Sequence, residues 1–134
     1  MSHPLGTLSG MRCEQEAVEL AADQHGVVGT WQLRAVGMRK QDVHRLRASP
    51  HWVVRSDRVL ARSGSPRTDD QCLMAAVLDA SPGAAIAGPT AAWMWGVPGF
   101  RLRPIHVVRH RGVARRPSTL AVVHEVVDLH PSQI

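Results

Sequence analysis

The stretch that decides the reading runs from Trp31 to Arg67, WQLRAVGMRKQDVHRLRASPHWVVRSDRVLARSGSPR. It holds Arg34, Arg39, Lys40, Arg45, Arg47, Arg55, Arg58, Arg62 and Arg67, nine of the sixteen basic residues in a chain of 134, against two acids, Asp42 and Asp57. The segment is +7 where the whole chain is +5, and residues 1–30 and 68–100 are each −3. Its elements read as short helix, glycine turn, second helix and hairpin, the second half of a winged helix-turn-helix. Positive charge gathered beside such a pattern is an electrostatic footprint for duplex DNA. Basic residues also merely solvate surfaces. The coincidence of charge cluster and motif ranks DNA binding first.

Within the stretch, Thr30 is placed to N-cap a helix over Trp31–Val36, with Leu33 and Val36 toward the core and Gly37 ending it. The next helix is predicted over Arg39–Ala48. At about 100° per residue, Val43 and Leu46 define its inner face. The opposite arc carries Gln41, His44, Arg45 and Ala48, with Lys40 and Arg47 on one flank. Gln pairs bidentately with adenine and Arg with guanine, so this arc suits a groove-reading helix; a solvated helix face would look similar without the helices before it. Ser49-Pro50 stops the helix. His51–Arg55 and Arg58–Arg62 are β-rich runs, and Ser56-Asp57 between them suits a tight hairpin, the wing. Arg55 and Arg58 flank its tip, within reach of phosphates or an adjacent minor groove. The predicted DNA-contacting set is therefore Arg39, Lys40, Gln41, His44, Arg45, Arg47, Arg55 and Arg58. Trp52 is expected in the core, anchoring the wing, with stacking on a base as the alternative.

Outward from this stretch, Glu14–His25 reads as a first helix, with Ala17, Leu20, Ala21 and Gln24 on one stripe and Gly26 at C′. Val27-Val28 is a short extended link. Met11 is a candidate start, because the pattern begins just after it. Gly64-Ser65-Pro66 is the best linker. Thr68 and Gln71 then form a capping box for a helix carrying Leu73, Ala76, Val77 and Ala80. Ala84–Ala87 is a short apolar link. A further helix is predicted from Pro89 through Trp95, followed by a turn over Gly96–Gly99. Residues 105–109 and 120–127 are strands by composition, and 110–118 is a basic loop. The expected architecture is α+β: a winged helix-turn-helix over 11–64, then a small α/β segment over 68–134 that ends incomplete.

Arg outnumbers Lys fifteen to one. Arg forks phosphate and guanine well, but a GC-rich genome accounts for most of the bias. Two separated cysteines, Cys13 and Cys72, suit packed thiols in a reducing cytosol. No apolar run approaches a membrane span, and the N-terminus lacks a signal-peptide pattern, so a cytoplasmic protein without membrane partners is expected. Among the eight histidines, His106 and His110 lie four apart on a strand end, and His124 and His130 have no Cys or acid at ligand spacing. No metal, no cofactor and no catalytic group is predicted. After residue 100 the acids are Glu125 and Asp128, too few for a metal-dependent nuclease.

The order of motifs resembles the N-terminal region of AbiEi-type antitoxins of type IV toxin–antitoxin systems, and related actinobacterial proteins in which this region precedes a small endonuclease domain. The residues that carry the resemblance are Leu20-Ala21, His25-Gly26-Val27-Val28, Gln32-Leu33, Gly37, Val43-His44-Arg45-Leu46, Trp52, Leu73-Met74-Ala75-Ala76, Ala91-Ala92-Trp93-Met94-Trp95-Gly96, Ile105-His106-Val107-Val108 and Val123-His124. The resemblance implies a winged-helix domain that represses its own operon by binding promoter DNA, and an antitoxin that opposes its toxin without a stable complex. Three features depart from it. Asp57-Arg58-Val59-Leu60 stands where a Gly and an aromatic are usual, Ser49-Pro50 replaces a glycine turn, and relatives continue into another helix and a C-terminal domain. Two other functions stay open: a DNA-targeting fragment of an endonuclease-domain protein, inactive alone, and an interaction module built on Trp93, Met94 and Trp95. For those three residues, a place in the core ranks first. An incomplete second half also implies self-association.

Overall fold

A computed structural model of the chain describes residues 5–111 and 117–127. It divides into two compact units, Met1–Gln71 and Cys72–Ile134. Both helices and sheets are present, giving an α+β protein.

The first unit begins with α1 (Leu5–Ala22), which starts well before the Glu14 expected from sequence. Helix continues through Ser9 and Gly10, whose weak intrinsic propensity hid it. The end of α1 also differs. His25 takes the left-handed conformation (φ 60°), and the Gly26 amide donates to the Ala21 carbonyl at 2.8 Å. That bond marks a Schellman-type end in which His25, not Gly26, is C′. Gly26 is required for two other reasons. Its φ is +91°, and a Cβ there would meet the Ser65 Cβ at 2.9 Å and the Gln71 Nε2 at 3.1 Å.

Gln71 explains that crowding. Its amide donates to the Thr68 hydroxyl at 3.1 Å, so Thr68 caps the following helix as expected. Its side chain does not close the capping box. It is 1% exposed and donates to the His25 carbonyl at 2.9 Å and the Ser65 hydroxyl at 3.0 Å, tying the linker to the end of α1.

The link at Val27 is a strand, β1 (Val27–Gly29). It is followed by α2 (Thr30–Ala35), α3 (Lys40–Ala48), β2 (Trp52–Ser56) and β3 (Val59–Arg62). The sheet order is β1-β3-β2, antiparallel throughout. In central β3, Val59, Leu60 and Ala61 are all 0% exposed. Pairing of Gly29 with Val59 keeps Gly29 extended, which makes Gly29 the N-cap of α2 in place of Thr30. The Thr30 amide instead donates to the Arg58 carbonyl at 2.8 Å. Gln32 accepts the Gly29 amide at 3.0 Å and exchanges two amide hydrogen bonds with Gln24 at 2.9 and 2.7 Å, which fastens α2 to the end of α1.

The hairpin tip is shifted from the expected Ser56-Asp57. Val54 faces Leu60 but Ser56 faces Val59, so Arg55 is the extra residue of a bulge and Asp57-Arg58 form the turn. Ala17, Ala21, Val28, Leu33, Met38, Val43, Leu46, Trp52 and Leu60 make one core. Trp52 belongs to it, with the Arg62 guanidinium 5.6 Å from its ring centre. That burial removes base stacking as a role for Trp52.

The next helix, α4 (Asp69–Ala80), crosses the boundary between the units. In the second unit come β4 (Ala85–Ile86), α5 (Gly88–Met94), β5 (His106–His110) and β6 (Val122–Val126). The apolar link over 84–87 therefore contains a strand, because Ala85 and Ile86 pair antiparallel with Val108 and Val107. β5 and β6 run parallel. Leu73, Ala76, Ala80, Ile105 and Val107 form this unit's core, with Val77 and Trp93 packed against it. The Thr90 hydroxyl, 0% exposed, accepts the His106 amide at 2.8 Å and pins α5 to the start of β5. Arg109 lies buried mid-strand, with an Nη2 3.2 Å from Glu125 Oε1.

Candidate nucleic-acid interface

The exposed arc of α3 is built by what its other face must bury. Val43 and Leu46 enter the core, three apart on one stripe. Lys40, Gln41, His44, Arg45 and Ala48 are left exposed. The predicted inner pair and outer arc are thus placed as the helical period requires. A third buried residue was not foreseen. Asp42, 7% exposed, sits in the first turn of α3 and organises the arginines around it.

Asp42 accepts the Arg39 amide at 3.1 Å, which satisfies an orphan donor at the helix start. The Arg39 side chain grips the same carboxylate through Nε at 3.0 Å and Nη2 at 3.3 Å. Arg45 Nη1 lies 3.8 Å from the other oxygen. The Arg39 hydrogen bond, ahead of the nearby positive charges, holds the Asp42 carboxyl below its usual range, and Asp42 in turn raises Arg39. Both arginines remain solvent-facing, at 62% and 67% exposure. They are oriented cations, not buried ones. The signal for this was in the sequence, as an acid three residues after Arg39 and three before Arg45.

Arg47 is placed differently. Its Nη1 donates to the Asp57 carbonyl at 2.6 Å, and its Nη2 lies 4.0 Å from the Asp57 carboxylate. It therefore points toward the hairpin tip. Arg45 and Arg47 also sit in the last turn of α3, where cations suit the helix dipole whatever else they do. Arg55 occupies the bulge and Arg58 the turn, both half-buried. The Arg58 amide donates to the Ser56 hydroxyl at 3.2 Å. Of the eight sequence-predicted residues, Lys40, Gln41, His44 and Arg45 share the exposed arc of α3. Arg39 stands at its start, and Arg47, Arg55 and Arg58 gather at the hairpin. Arg62 is drawn away onto Trp52, and the Arg34 Nη1 donates to the Met38 carbonyl at 3.0 Å.

The second unit exposes a different chemistry. Met94, Trp95, Val97 and Phe100 are all exposed, Trp95 at 86%. The expectation that Trp95 and Met94 pack in the core is therefore overturned; Trp93 alone of the three packs against it. The cause is local. Trp93 faces the core, so Met94 and Trp95, about 100° and 200° further round the helix, face away from it. His106 and His124, on neighbouring strands, bring Nδ1 and Nε2 to 2.9 Å. Along the sequence His106 stands nearest His110 on the same strand, and its partner His124 lies on the neighbouring one. The two nitrogens share one hydrogen bond. Among the described residues no group of three or more His, Cys, Asp or Glu is positioned for a metal ion. Asp128, His130, Arg115 and Arg116 lie outside the described residues. Cys13 and Cys72 are free thiols. Among the described residues no helix is long and apolar enough to cross a membrane. Compared with protein-family models and with curated proteins, the sequence matches none.

Proposed function

We propose that residues 11–64 are a winged helix-turn-helix that binds duplex DNA, with α3 as the groove-reading helix and the β2–β3 hairpin as the wing. The observation that carries this reading is the exposed arc of Gln41, His44 and Arg45, flanked by exposed Lys40, opposite buried Val43 and Leu46. Two features support it: the element order α1-β1-α2-α3-β2-β3 and the sheet order β1-β3-β2. On the resemblance described above, the protein is a cytoplasmic regulator of the type IV antitoxin kind. It represses its own operon at a promoter site and opposes its toxin without a stable complex. It needs neither cofactor nor metal and performs no catalysis.

The test is sequence preference. Arg45→Ala and Gln41→Ala should each reduce discrimination between a selected site and random duplex by about 1–3 kcal/mol, the worth of one bidentate pairing with a base. Arg58→Ala should weaken all sequences alike. Full discrimination retained by both α3 variants removes α3 as the reader. An interaction role for the second unit is a separate reading, favoured by the exposed Trp95, since Trp and Met are enriched at binding hot spots.

A further inference from the structure

We propose that Arg47 serves DNA recognition as a positioning residue that ties the hairpin tip to the end of α3, and not as a phosphate contact. Resting on the duplex-DNA reading for its functional half, the proposal starts from the placement of one guanidinium. Arg47 lies in the last turn of α3, and Asp57 is one of the two residues of the β2–β3 turn. The 2.6 Å bond goes to the Asp57 backbone carbonyl, while the Asp57 carboxylate stands 4.0 Å away and is 93% exposed. The firm part of the tie is therefore to the main chain, which no substitution of Asp57 removes. Arg47 is also the most covered arginine of the α3 group, at 32% exposure against 62% for Arg39 and 67% for Arg45. A planar guanidinium with donors aimed at the tip has fewer left for a ligand.

The other tip residue is held from the opposite side. The Arg58 carbonyl accepts the Thr30 amide at 2.8 Å, at the junction of β1 and α2. The tip is thus fastened to the start of α2 and the end of α3, the two helices that would dock on DNA. A bulge at Arg55 removes regular pairing just before the turn. These two outside bonds add to the Ser56–Val59 pairing and the Arg58–Ser56 hydrogen bond within the hairpin, and they link the tip to α2 and α3. Arg47 sets the spacing between the exposed arc of α3 and the wing arginines, Arg55 and Arg58.

The test uses the full chain with Arg47→Ala, Arg58→Ala and the double variant, in two measurements. In the free protein, backbone 15N relaxation should show Arg47→Ala lowering order parameters at Asp57 and Arg58 from a rigid value of about 0.85 toward 0.6, with α3 amides unchanged. On a duplex, Arg58→Ala should weaken binding several-fold in the wild-type background and have no further effect in the Arg47→Ala background. Arg47→Lys keeps a donor for the Asp57 carbonyl and should restore the Arg58 effect. Unchanged order parameters at the tip, or independent effects that simply multiply, would overturn the proposal, because separate phosphate contacts add in free energy. Absence of salt-dependent duplex binding by the wild-type chain would overturn the DNA reading itself. The relaxation measurement, made without DNA, separates the two failures.

Discussion

Trp52 opens β2 with 4% of its surface exposed, whereas Trp95 closes α5 with 86% exposed. The same side chain is a core anchor in one unit and a surface group in the other. Around Trp52 the first unit buries most of its large apolar residues, although Val53, Val54 and Val36 (expected beside Leu33 in the core) are exposed, and the exposed arc of α3 contains no large apolar side chain. Around Trp95 the second unit presents Met94, Val97 and Phe100. A periodic element sorts its residues by face, so α3 has one polar surface. On α5 the face that turns Trp93 toward the core leaves Met94 and Trp95 outward, so apolar residues there are sorted out rather than in. Exposed aromatic residues gathered on one short turn suit contact with another surface; a polar arc on a helix suits a charged, grooved ligand.

The largest effects should come from breaking the buried side of this contrast. Trp52→Ala should cost about 3–5 kcal/mol of stability, read by urea denaturation. Trp95→Ala should fall within about 0.5 kcal/mol of wild type. Equal losses at the two positions would mean that Trp95 is covered in the folded chain.

A smaller effect, visible only with pH, belongs to Asp42. Its folded pKa lies below the ordinary value of 3.8. The carboxylate therefore contributes stability that is fully present above that value and is lost as pH falls through the lowered folded value. Asp42→Asn keeps an acceptor for the Arg39 amide but removes the charge. Its denaturation midpoint should be below wild type at neutral pH and converge with it on acidification. A gap that stays constant across that acid range would mean that the charge contributes nothing.

The first unit was legible because its signals were local and periodic. Val43 and Leu46 fix the face of α3, Gly37 breaks the chain before it, and β-rich runs either side of Asp57 give the hairpin. What escaped were features set by partners distant in sequence. Ser56 pairs with Val59 only because Arg55 bulges, so the turn moved by one residue. Gly29 became a cap because β1 pairs with β3. Gln71 left its capping box for His25, 46 residues away. At the interface itself, residue types and the exposed arc were readable, but the division of labour was not. Asp42 gathers Arg39 and Arg45, and Arg47 turns to Asp57. In the second unit the strand at Ala85-Ile86 was too short to carry a period, and the sequence did not mark which face of α5 meets the core, so partly buried Trp93 and exposed Trp95 read alike.

If the α3 arc and the hairpin form one DNA surface, as proposed, a salt titration of duplex binding shows it. Binding of the full chain to a duplex should weaken steeply with salt. If about five phosphates are neutralised, log K against log[salt] should have a slope of roughly −4 to −5. Arg58→Ala should flatten it by about one phosphate's share, whereas Arg45→Ala, which removes a base contact, should leave the slope nearly unchanged. An affinity that does not change between low and moderate salt, or a slope indifferent to Arg58→Ala, would contradict the account.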